Sequence, residues 1–122
     1  MIAPMPIFHI DTSLPPPPGA ARSLADALGA RMGSAPGHTW VQLSRRDPSL
    51  YAESQIETPP ASAFVRVILR ALPEEAELAT LARSIAELVA EPLALSVEDV
   101  HVYFDPPAAG RIAFGGELVR TG

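Results

Sequence analysis

Two residues of one short run, His101 and Tyr103 in Val100–Phe104, carry side chains that can hold or move a proton. They stand two apart, so in an extended strand both project from one face. Such a pair suits a pocket wall, and it suits equally a hydrogen-bonded pair at an interface. Arg66, Ile68 and Arg70 share a face by the same alternation. Two arginines there can grip a carboxylate or form ion pairs between subunits. The remaining histidines, His9 and His38, show no metal-ligand spacing with His101, so no metal site is expected. The glycines of Gly110–Gly116 do not follow a strand and open a helix, so no dinucleotide fingerprint and no cofactor are expected. All nine basic residues are arginine, which excludes a Schiff-base lysine and a Walker-A lysine. The absence of cysteine excludes a thiol nucleophile, a thiolate metal site and a disulfide framework.

The chain that must position these residues has 122 residues, of which 48% are apolar, enough for one domain with a real core. A net charge of −5 argues against nucleic acid as a partner. No apolar run approaches the ~20 residues that span a bilayer, so no membrane partner is expected. MIAPMPIFHI lacks a basic n-region and a small-residue cleavage site, which makes a cytoplasmic location the expectation.

Periodicity divides the chain into two similar units. Pro6 to Asp11 reads as a strand, Gly19 to Met32 as a small-faced helix ending at Gly33, and His38 to Ser44 as a second strand. Arg45 to Ser62, with Asp47-Pro48 and Pro59-Pro60, reads as a connection holding at most a short hairpin. Ala63 to Arg70 is then a strand, and Pro73 opens a helix through Ala90 that Glu91-Pro92 stops. Its Leu78, Leu81, Ile85, Leu88 and Val89 form one face, each worth ~1.5–3 kcal/mol when buried. Val100 to Phe104 is the last full strand. The fold expected is α/β: two tandem β-α-β units (6–48 and 63–106, joined by 49–62) making a four-stranded sheet with both helices on one face. The opposite sheet face is left bare, which predicts self-association. The Gly-containing ribbon 107–122 carries Ile112, Phe114, Leu118 and Val119 and is expected to dock on a neighbouring subunit. Trp40 is expected in the core, and Arg111 in a solvated loop.

Particular residues then carry a family resemblance. Met5-Pro6-Ile7-Phe8-His9-Ile10 resembles the opening of tautomerase superfamily members, which begin Met-Pro and an apolar strand and lose the initiator Met. Val100 to Val119, with Gly-x-x-x-x-Gly-Gly-Glu-Leu from Gly110 to Leu118, looks like the end of 4-oxalocrotonate tautomerase. The Asp105–Gly110 turn and the length resemble macrophage migration inhibitory factor and cis-3-chloroacrylic acid dehalogenase. The resemblance implies one tautomerase-like domain over 1–122, a homotrimer, pockets near subunit interfaces, and a small keto/enol acid as substrate.

Residue by residue, the resemblance makes Pro6 the catalytic proline, although proline at the start of an edge strand is also ordinary. His101 falls where relatives have an arginine or a tyrosine, and Tyr103 where the dehalogenase has a functional tyrosine. Arg70 matches one of the dehalogenase's carboxylate-binding arginines. The second would fall on Pro73, and the dehalogenase's catalytic glutamate falls on Phe114. Those departures argue against hydrolytic dehalogenation, while decarboxylation stays open. Ile112 and Phe114 then supply apolar pocket surface. The lysine of the migration inhibitory factor pocket has no counterpart. Residues 1–5 make an N-terminal extension that acylates Pro6, so a proline mechanism requires translation from Met5 or processing. Two readings follow: an isomerase with a free Pro6 amine, or a non-catalytic trimeric relative with a blocked one.

Overall fold

A computed structural model describes residues 6–121; the N-terminal extension 1–5 lies outside them. The chain runs β1 (Ile7–Thr12), α1 (Ala20–Met32), β2 (Trp40–Arg45), β3 (Ala63–Ile68), α2 (Glu75–Leu93), β4 (Val100–Phe104), and a small hairpin of β5 (Ala113–Phe114) and β6 (Glu117–Leu118). Single 3-10 turns at Pro48–Leu50 and Val97–Asp99 introduce the connection after β2 and the strand β4. The four long strands form one sheet in the order β2-β1-β3-β4. Within each β-α-β unit the strands are parallel, and β1 meets β3 antiparallel where the units join.

Alternation decides what each face buries. Phe8, Ile10, Val65 and Val67 point to one face and are fully enclosed with Leu24 and Leu28 of α1 and Ile85 and Val89 of α2. Both helices cover this face, α1 lying against β2 and α2 against β4. The expected α2 face is buried at Leu81, Ile85 and Val89, with Leu78 and Leu88 half-buried at its margins. α1 stops at Gly33, whose φ of 68° is left-handed and open to glycine without penalty.

Two expectations change, at the end of α2 and at Trp40. Helix α2 continues past Glu91-Pro92 to Leu93, because burial of Leu93 and bonds from Ala94 and Leu95 N–H to Glu91 and Ala90 carbonyls close its last turn. The proline forfeits only a bond near the helix end, where carbonyls begin to lack helical partners anyway. The ribbon folds back as a small antiparallel hairpin of β5 and β6. Gly115 and Gly116, both at positive φ, make its two-residue hairpin loop, while Gly110 N–H donates to the Val119 carbonyl. A Cβ at Gly110 would come within 2.9 Å of Thr121, so this closure needs glycine for its space as well as its φ. Trp40, expected in the core, is 42% exposed. Its neighbours Val41 and Leu43 are the positions of β2 packed on the core, which sends Trp40 to the opposite face.

Candidate functional site

The sheet face away from the helices is where the candidate side chains gather, and strand register arranges them in rows. Nearest the N-terminal end of β1, Trp40, Ile7 and Ile68 lie side by side. The next row on this face is Gln42, His9, Arg66 and Tyr103, and the one after it Ser44, Asp11, Phe64 and His101. The last two rows line a shallow depression of about 640 Å³.

Pro6 precedes the first row. Its side chain is fully buried, and its carbonyl accepts a hydrogen bond from Trp40 N–H at 3.0 Å. At the same sheet end the Trp40 and Phe114 rings meet edge-on with centroids 5.0 Å apart. Trp40 Nε1 donates to the Gly37 carbonyl at 2.9 Å, which fixes the indole. Arg70 lies two residues beyond Ile68, the register partner of Ile7, and its Nη2 donates to the Arg120 carbonyl at 2.9 Å. The Ile112 carbonyl accepts from Val119 N–H and so closes the ribbon that carries Phe114. Pro6, Arg70, Ile112 and Phe114 are thus brought to one end of the sheet, with Trp40 added to them. Alternation in Trp40-Val41-Gln42-Leu43-Ser44 was the signal for Trp40, since the apolar residues at 41 and 43 claim the core.

His101 and Tyr103 are placed elsewhere. His101 is five residues down the sheet from Pro6 by register with Asp11, roughly 16 Å at ~3.3 Å per residue. Its ring rests against Phe64 at 5.1 Å. Tyr103 is 60% exposed and shares a row with Arg66. Arg66 forms an ion pair within the chain: Nε lies 3.0 and 3.1 Å from the two Asp105 carboxylate oxygens and Nη2 lies 2.7 Å from one. Hydrogen bonding from Arg66 holds the Asp105 carboxyl below the usual range, and the same contact raises the guanidinium. Arg111 donates to the Pro106 and Pro107 carbonyls and braces the loop after β4.

A second cluster occupies the far end of the face. The Arg46 guanidinium lies 4.3 Å from the centre of the Tyr51 ring and 5.4 Å from that of Phe64. Tyr51 OH donates to Glu53 at 2.6 Å, and that acceptor pushes the phenol above its ordinary value. Nothing in the sequence distinguished Arg46 from a solvated loop arginine, because Asp11, Ser62 and Phe64, which meet it in the fold, are far from it along the chain. Among the described residues no three His, Asp or Glu side chains come together as a metal site, and no helix is long and apolar enough to cross a membrane.

No protein-family model and no curated protein sequence matches the chain. Solved structures do. A fused 4-OT, described as a wild-type symmetric trimer, is 19% identical, with a TM-score of 0.76 over 93% of this chain and 94% of that one. A macrophage migration inhibitory factor from Oncomelania hupensis is 17% identical, with a TM-score of 0.76 over 94% of this chain and 83% of that one. A homologue of that factor from Prochlorococcus marinus is 14% identical, with a TM-score of 0.75 over 93% and 98%. At these identities the likeness is one of fold.

Proposed function

We propose, from the tautomerase fold this chain shares with 4-OT and macrophage migration inhibitory factor structures, that it is a proton-transfer isomerase of small keto/enol carboxylic acids. It works as a homotrimer with Pro6 as its base. The observation that carries this reading is the meeting of Pro6, an aromatic wall of Trp40 and Phe114, and the cationic Arg70 at one end of the sheet. Once its nitrogen is a free secondary amine, Pro6 in such apolar surroundings loses solvation of its charged form, and its pKa falls. The neutral amine accepts the enol O–H proton as the oxygen becomes a carbonyl. The resulting prolinium then delivers a proton to the carbon of the former double bond. Arg70 holds the substrate carboxylate.

His101 and Tyr103 reach this site from a neighbouring subunit, since within one chain the strand separates them from Pro6. There they donate to the developing enolate oxygen. The exposed sheet face, with Phe64 and Tyr103 at 40% and 60% exposure, gives self-association its apolar surface.

The test is ketonisation of 2-hydroxymuconate and phenylenolpyruvate by two forms of the chain, full length and beginning at Pro6 by mass. Turnover is expected only from the second, with a loss of about 10²–10⁴-fold in Pro6→Ala. If the form with a free Pro6 is inert, the alternative of a non-catalytic trimer replaces this reading.

A further inference from the structure

The far end of the open face encloses a cation, Arg46, against two aromatic rings. Arg46 has a side chain only 10% exposed. Its Nη2 donates to the carbonyl and the hydroxyl of Ser62, at 3.3 and 2.9 Å. Nη1 stands 3.1 Å from Asp11 Oδ1, yet among the described residues neither Nη1 nor Nε finds an aligned acceptor. Three of the five N–H donors of this buried guanidinium lack an aligned acceptor, a cost that its ion pair with Asp11 offsets only in part. What the planar cation adds is its face, laid over Tyr51 and turned toward Phe64.

Phe64 is therefore held from several sides. Tyr51 meets it edge-on at 6.0 Å and is itself tied to Glu53. The strand order puts Arg46, which follows β2, on one flank of Phe64 and His101, on β4, on the other. The imidazole rests on a ring that is 40% exposed and would otherwise be free to turn.

We infer that Arg46, Tyr51 and Phe64 are positioning residues for His101: they fix the platform on which its imidazole lies, and so its direction toward the neighbouring subunit's Pro6. This rests on the isomerase reading above, in which His101 acts across the interface. A donor aimed at a developing oxyanion works only when its geometry is set beforehand, and misplacement by about an ångström can cost as much as 10²-fold.

The experiment reads both rate and ring, in the form with free Pro6. Arg46→Met is expected to lower kcat about fivefold and Phe64→Leu about tenfold, each with KM changed less than about twofold. Phe64→Tyr, which keeps the platform, restores kcat to within about threefold of wild type. In parallel, the His101 ring-proton resonances, assigned by comparison with His101→Gln, are recorded by NMR. They are expected to shift in Phe64→Leu, and to shift or broaden in Arg46→Met. Unchanged kcat and unchanged His101 resonances in Arg46→Met, with only a lower melting temperature, would overturn the inference and leave Arg46 a packing residue. If the wild type turns over no enol, the isomerase reading fails by itself. The resonances then still decide whether Arg46 fixes the imidazole.

Discussion

The two ends of the open sheet face are built on different plans. The Pro6 end is assembled from distant pieces of chain, with Trp40 from β2, Arg70 after β3, and Phe114 and Arg120 from the terminal ribbon. The far end is assembled around one loop, in which Arg46, Tyr51 and Glu53 lie within eight residues and clasp Phe64. The first is closed by a two-stranded hairpin with little buried apolar surface, and such elements open locally at low cost. The second is anchored to the ends of β1 and β3 by Arg46 and Ser13, whose bonds converge on Ser62. A site that must admit a substrate belongs at the end that can open, and a side chain that must arrive at a fixed angle belongs at the end that cannot.

The sharpest way to break that contrast is at Arg70. If the Pro6 end binds the substrate carboxylate, Arg70→Ala should raise KM about ten- to hundredfold, the equivalent of a charged hydrogen bond worth about 1.5–3 kcal/mol. Steady-state kinetics at fixed ionic strength would measure it. A fall in kcat at constant KM would move the carboxylate elsewhere. The bond from Arg70 to the Arg120 carbonyl also disappears, so faster amide exchange should appear in the ribbon and not at Arg46 or Tyr51.

Trp40→Ala comes next in size. It removes an edge-to-face pair worth about 0.5–1.5 kcal/mol and leaves Phe114 without its partner. KM should rise several-fold, while urea unfolding falls by about that energy or less, because the indole is already 42% exposed. A loss several times larger would mean that Trp40 acts as core after all.

That expectation about Trp40 shows where sequence reading reaches its limit. Strand and helix periods were legible because burial alternates visibly: Val65 and Val67 against Phe64 and Arg66, or Leu81, Ile85 and Val89 along one side of α2. The parallel pairing of β1 with β2 and of β3 with β4 followed from two crossovers, while the antiparallel junction of β1 with β3, and with it the order β2-β1-β3-β4, belongs to tertiary packing. Trp40 was misplaced because residue size was weighed above alternation, and the sheet obeys alternation. The hairpin form of the ribbon was legible only as glycines, because apolar residues in a tail do not say which surface they cover. Arg46 could not be found at all. Its meaning comes from Asp11, Tyr51, Ser62 and Phe64, which no local pattern joins to it.

Between the two ends lies Arg66, and its ion pair with Asp105 gives the smallest expected effect. The Asp105 carboxyl is held below the usual carboxylate range, chiefly by its hydrogen bonds from Arg66. A carboxyl whose folded pKa lies below its unfolded value, about 3.9, stabilises the fold above that value and loses the contribution as pH falls through the lower one. Asp105→Asn should therefore be less stable than wild type at pH 7, with the gap closing as the pH falls below about 4. The gap should be small, because Arg66 is 54% exposed and solvent screens the pair. Urea midpoints at pH 7 and pH 3 measure it. An equal gap at both values would mean that Asp105 matters through the packing and hydrogen-bond geometry of its side chain, and not through its charge. Because no hydrogen bond or ring contact among the described residues joins this pair to the Trp40–Phe114 wall or the Arg46 clasp, the substitution should leave the Arg70 and Phe64 effects intact and additive with its own. Non-additivity with Phe64→Leu but not with Arg70→Ala would extend the clasp by one row, and would tie Arg66 and Tyr103 to the end of the face that is held rigid.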